Sequence, residues 1–241
     1  MHGRRRARPE RKNMKKKLLI MSVAMVLVCA FAVGMTIAYL TSTDEVVNTF
    51  TVGNVRIKLD EADVDEYGEQ LYDSETGSPA PRVKANSYKL IPGHTYTKDP
   101  TVTVLSGSEE SYIKMTVTVT KSDVLDDIFA PNGADLTSIF DGYDGTTWIY
   151  KDITEDNENK TRTYEFWYKT AVDAREDAVK LEPLFTSIVV PDFITGDQLA
   201  ELQTMTITVN AYAIQADGFG GNADAAWEAF ANSFIDHAAT N

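Results

Sequence analysis

Catalysis by side chains needs nucleophiles, bases or metal ligands at workable spacing, and this chain offers few of them. Its three histidines are His2, His94 and His237. There is no HExxH, and no two histidines fall at the helical spacing that clasps zinc. No GxSxG occurs; "SGSEE" at 106–110 reads as a turn, not as a nucleophile elbow. "DGFGG" at 217–221 lacks the GxGxxG spacing of a phosphate loop. The sole cysteine, Cys29, sits in an uncharged apolar run, so the rest of the chain has neither thiol nor disulfide. Val28 precedes it where a lipid-attachment site needs a small residue, which leaves Cys29 an ordinary buried apolar side chain. These patterns assign no catalytic residue and no metal ligand.

The acidic clusters are the remaining chemical candidates. "DEADVDEYGE" at 60–69 could offer carboxylates to calcium, but Tyr67 stands where an oxygen ligand should precede Gly68, and Ser74 where the bidentate Glu belongs. "DITEDNEN" at 152–159 is equally loose. The plain reading is a solvated charge run, with weak calcium binding as the sharper alternative; no other cofactor is expected.

Net charge is −13, and its distribution is uneven. Residues 1–38 carry nine Lys/Arg against one acid, Glu10, leaving 14 basic and 35 acidic groups beyond them, a net of −21. A body that acidic repels phosphate backbones and excludes nucleic acid as a partner.

The asymmetry marks an export signal. A basic segment (1–17) precedes "LLIMSVAMVLVCAFAVGMTIA", Leu18 to Ala38, which has no charge and is long enough to span a bilayer. The positive flank keeps the N-terminus inside, so everything after Tyr39 goes outside. Met14 before "KKKLLIM" would serve as a start as well as Met1. Two readings stand: a retained anchor, or a signal peptide cut after Ala38. Thr36 and Ala38 place small side chains third and first before Tyr39, where signal peptidase pockets need them. Contact with the membrane is expected only through this segment.

The exported part, 39–241, reads as one domain of strands. "TFTVGNVRIKL" alternates around a Gly53-Asn54 pair, which predicts a β-bulge. "TVTVL" (101–105) and "YIKMTVTVT" (112–120) are separated by the turn-rich "SGSEES", predicting a hairpin. In the second, Ile113, Met115, Val117 and Val119 share one face, opposite Lys114, Thr116 and Thr118. "TTWIYKDI" and "KTRTYEFWYKT" predict another hairpin, and "LFTSIVV" and "MTITVNAYAI" two further strands. Short helices are expected at "SDVLDDIF", capped by Ser122, and "TGDQLAEL", capped by Thr195. Trp227, Phe230, Ala231 and Phe234 form one stripe of a C-terminal helix that packs on the sheet or docks a partner. The acidic loop 60–81 reads as the least ordered part. Six to nine strands with turns between them predict an all-β antiparallel sandwich.

"AYLTSTDEVVNTFTVGNVRIKLDE", Ala38 to Glu61, resembles the cleavage region and first strand of the TasA/camelysin family of SipW-dependent exported proteins. "KLIPGHTYTKDPTVTV" (89–104), "LFTSIVVPDF" and "MTITVNAYAIQADGF" are similar too. The resemblance implies a jelly-roll-like β-sandwich with a few short helices behind an N-terminal signal or transmembrane helix. It also implies a secreted structural protein of the cell surface or biofilm extracellular matrix, cut by a SipW-type signal peptidase. Its partners would then be itself, as a homopolymer, and other matrix proteins. Fibres would form as each copy donates its freed N-terminal strand, with Val46, Val47, Phe50 and Val52 making the donated contacts. The same strand could instead pair within its own subunit. Camelysins are catalogued as metallopeptidases, but no catalytic motif here supports that activity. A membrane-anchored adhesin or binding module is the other alternative.

Overall fold

The computed structural model describes residues 41–44 and 54–238, with side chains within 54–232. Twelve strands and four α-helices are found among the described residues, all within the unit Leu40–Asn241. The larger sheet runs in the order β1 (Thr41–Asp44), β12 (Ile207–Gln215), β5 (Ser108–Thr120), β8 (Thr161–Tyr168), β7 (Trp148–Asp156), and β9 (Val172–Ala174) also pairs with β5. A second sheet joins β10 (Val179–Lys180), β4 (Thr101–Val104) and β2 (Ile57–Asp60). A third joins β3 (Thr95–Thr97), β11 (Ser187–Val189) and β6 (Phe140–Asp141). Every pairing is antiparallel.

Alternation in β5 decides the layering. Ile113, Met115, Val117 and Val119 are buried, while Lys114, Thr116 and Thr118 are only half-buried. The register sets Val117 between Val209 of β12 and Tyr164 of β8, so the inward faces of three strands coincide. That face shares one core with Val102 and Val104 of β4, Tyr96 of β3, Phe140 of β6 and Ile188 of β11. Full burial of a side chain such as Phe166 contributes roughly 2 kcal/mol. The outer face of the larger sheet carries a second cluster: Tyr112 and Ile214 lie under Trp227 and Phe230 of the C-terminal helix α4 (Ala223–Ala238).

The hairpin predicted between 101–105 and 112–120 does not form. β4 pairs with β2 and β10, β5 with β12, β8 and β9, so the 105–107 turn carries the chain from one sheet to another. Turn chemistry at Gly107, with φ of 76°, is the same for a hairpin and for an arch between layers. The hairpin of β7 and β8 forms as predicted, with a register shift between Tyr150 and Asp152.

Helix α1 (Ser122–Ile128) begins one residue earlier than expected: Ser122, the expected cap, is itself helical, and Lys121, left-handed at φ 60°, takes the cap position without a side-chain bond. Thr195 does cap α3 (Gly196–Glu201), in a capping box with Gln198. A further box at Asp135 opens α2 (Leu136–Ile139). Of the C-terminal stripe, Trp227 and Phe230 are buried and Ala231 is exposed; the side chain of Phe234 lies outside the described residues. The acidic loop is built rather than loose, with antiparallel bridges Glu61↔Val83, Val64↔Gln70 and Tyr72↔Pro79. Among the described residues no helix is long and apolar enough to cross a membrane; the apolar run 18–38 lies outside them.

Candidate functional site

Thr36, Ala38 and Tyr39 of the expected cleavage site, and Val46, Val47, Phe50 and Val52 of the expected assembly strand, all lie outside the described residues. Their flanks do not. On the N-terminal side, β1 lies on the edge of β12, with Thr41 opposite Ile214 and Asp44 opposite Ala211. On the C-terminal side, Val55 and Ile57 are buried in the inner core.

β12 is bonded to β5 along its whole length, Ile207 to Gln215, but meets β1 only from Ala211 to Ile214. Among the described residues the same edge has no partner strand from Ile207 to Asn210. Ile207 and Val209 are half-buried against the inner core there. β2 runs alongside without joining the sheet. A groove of about 250 Å³ opens between this edge and Leu59, Glu61, Asn86 and Lys98. Main-chain groups on a sheet edge, with apolar side chains beside a groove, are what an added strand engages.

Charge is packed tightly at the groove's far wall. Arg82 donates to Asp60 (2.6 Å) and Asp99 (2.7 Å) and to the hydroxyl of Thr101 (2.9 Å). Burial raises the Asp60 carboxyl, but bonds from Lys58 and Arg82 outweigh it and leave Asp60 below its ordinary range. Lys98 pairs with Glu61, and both are buried. The sequence carried a signal for this: Tyr96, Lys98 and Pro100 alternate inward, so a lysine falls on a core-facing position.

A second hollow, of about 850 Å³, lies between the β7–β8 hairpin and the 126–137 segment. Tyr150 and Ile153 pair with Phe166 and Tyr164, and so share the inward face, yet remain 44% and 40% exposed. Arg162 is buried behind them, bonded to Asp126, Glu155 and the Ala134 carbonyl. The hydrogen bonds from Arg162 hold the Asp126 carboxyl below its ordinary range. Arg162 also sits on the inward alternation of a strand, and it too was readable in "TRTYEF".

Among the described residues His94 joins no acid cluster. Its Nε2 lies 2.7 Å from the Tyr67 carbonyl, and its ring meets Tyr96 edge-on. Among the described residues no group of three His, Cys, Asp or Glu side chains is placed to hold a metal. Comparison with family models, with curated proteins and with solved structures finds no match to this chain.

Proposed function

We propose that the chain is an exported structural protein of the cell surface or biofilm matrix, with a jelly-roll-like sandwich body. It is processed after Ala38 and assembles through the freed N-terminal arm. The observation that supports this is the arrangement at β12: an edge already holding Thr41–Asp44 that continues, among the described residues, without a partner from Ile207 to Asn210. An arm given by one copy to the next would use that edge and set Val46 and Val47 opposite Val209 and Thr208. The contact is head-to-tail, and its repetition makes a fibre. The resemblance of Ala38 to Glu61 to the TasA/camelysin family points the same way.

Export of the full chain in a host with a SipW-type signal peptidase tests it. The expected product starts at Tyr39 and forms filaments by electron microscopy. Val46→Asp with Val47→Asp, or Val209→Lys on the accepting edge, should leave monomers. Filaments that form equally well in both variants would overturn the proposal, as would a product that keeps residues 1–38.

The 850 Å³ hollow supports a second reading, a binding module displayed at the surface. Exposed Tyr150 and Ile153 on an otherwise core-facing side suit a ligand with an apolar face. Loss of ligand capture in Tyr150→Ala, with filaments intact, would favour it.

A further inference from the structure

Three side chains from separate segments meet at the floor of the 250 Å³ groove. Lys98 Nζ donates to Glu61 Oε2 at 2.6 Å. Asn86 Nδ2 donates to the other oxygen of the same carboxylate, Glu61 Oε1, at 2.9 Å, and to the Ala62 carbonyl at 2.8 Å. The backbone N–H of Val64 donates to Asn86 Oδ1 at 3.2 Å. Lys98 is 7% exposed and Glu61 4%. The Tyr88 ring lies 6.0 Å from Lys98 Nζ, and burial, with the charge of Glu61, pushes the Tyr88 phenol up.

An ion pair needs only two of these groups. Here one carboxylate joins an amine to the nitrogen of a primary amide, and a backbone donor is aimed at that amide's oxygen. Amine, proton carrier, amide and oxyanion donor are the parts of an acyl transfer. We propose that Lys98 and Asn86 become joined by an intramolecular isopeptide bond, with Glu61 carrying the proton.

Glu61 accepts a proton from the Lys98 ammonium along their hydrogen bond, freeing the Nζ lone pair. Nζ attacks Asn86 Cγ and a C–N bond forms. The charge gathers on Oδ1, where the Val64 N–H meets it. Glu61 delivers its proton to Nδ2 and takes the second proton from Nζ, the Cγ–Nδ2 bond breaks, and the ammonia released takes that proton from Glu61 and departs through the groove as ammonium. The lysine ammonium and the asparagine amide give a secondary amide and an ammonium ion, without oxidant or co-reactant. The bond closes the chain between 86 and 98 and fixes the groove wall beside β12. It does not depend on the assembly proposed above.

The test is mass spectrometry of the full chain after export. The purified wild type is expected below its sequence mass by about 17 Da, one ammonia, in a covalent change of Lys98. Acylated Lys98 resists trypsin, so the digest should contain 85–89 joined to 90–114. In Glu61→Gln, with an unchanged circular dichroism spectrum, and in Lys98→Arg, both peptides should be unlinked and the mass full. Wild-type protein at full mass, with a free 90–98 peptide, overturns the proposal without reference to any variant. Ammonia loss with Lys98 still open to amine reagents marks a succinimide at Asn86 and also overturns it. A bond that persists in Glu61→Gln removes Glu61 from the reaction.

Discussion

Arg162 holds Asp126 through two parallel hydrogen bonds, 2.7 Å from Nη2 to Oδ2 and 3.1 Å from Nη1 to Oδ1. The fork ties β8 to α1, 36 residues away in sequence. Its remaining donors reach Glu155 from Nε and the Ala134 carbonyl from Nη1, both at 2.9 Å. One side chain thus anchors the helix, the loop that follows it and the edge strand around the larger hollow. A planar guanidinium can serve all three at once, whereas a lysine ammonium is a single point charge.

Removing that fork is expected to destabilise the fold strongly. Arg162→Met leaves Asp126 and Glu155 facing each other without a cation and strips the Ala134 carbonyl of its partner. A loss of about 3 kcal/mol follows from breaking a buried pair, reduced to the extent that water reaches the 39%-exposed Asp126 side chain. Urea unfolding should show a lower midpoint at unchanged slope. Arg162→Lys should recover less than half. A midpoint unchanged in Arg162→Met would show that the fork adds no net stability.

The same pair predicts an acid response of definite sign. The Asp126 carboxyl lies below its ordinary range in the folded chain, chiefly through the Arg162 bonds. The folded protein therefore keeps this proton off more readily than the unfolded chain does. Its contribution is complete above the unfolded value of about 3.9 and is lost as pH falls through the lower folded value. The stability gap between wild type and Asp126→Asn should be widest above about pH 5 and narrow steadily below about pH 4. A gap that is flat or grows on acidification would contradict the assignment.

Two glycines in the acidic loop separate backbone strain from packing. Gly68 has φ of 83°, and an added Cβ would stand 2.7 Å from the Cα of buried Tyr96. Gly77 has φ of 67° but open space around it. Gly77→Ala should cost only the left-handed strain, about 1 kcal/mol. Gly68→Ala should cost that plus a displacement of the β3 backbone, about 3 kcal/mol in all. Thermal unfolding of the two variants side by side measures the difference; equal losses would mean that the loop does not press on β3.

Much of this architecture was legible because strands write their burial into alternate residues. Ile113, Met115, Val117 and Val119 announced the inner face of β5, and Thr195 announced a helix start. Pairing was less legible. The Ser106–Gly107 turn looks the same whether the chain folds back beside itself or crosses to another sheet, and β4 and β5 took the second course. The acidic loop misled for a related reason. Its order comes from partners distant in sequence, Arg82 with Asp60 and Asp99, and Glu61 with Lys98, and composition alone gives no view of them. Lys98 and Arg162 were visible only as charges on inward positions, a pattern that marks a buried network without naming its members.

The outer face of the larger sheet supplies a last prediction, about which parts of the fold open together. Lys114 Nζ lies 4.8 Å from the Trp227 ring centre, 5.3 Å from Phe230 and 5.6 Å from Tyr212, and it bonds Glu165 at 3.0 Å. α4 is therefore fastened by aromatic rings over a paired lysine and by contact with Tyr112 and Ile214. None of these residues belongs to the inner core. Trp227→Ala should cost about 3 kcal/mol at this face and release the helix before the sheets. In hydrogen exchange, amides of 223–238 should lose protection while those of β5 and β8 keep theirs, and an apolar dye should bind the uncovered Tyr112 and Ile214. Equal loss of protection in β4 and β8 would mean instead that helix and sheets unfold as one unit, and that the outer cluster is part of the cooperative core.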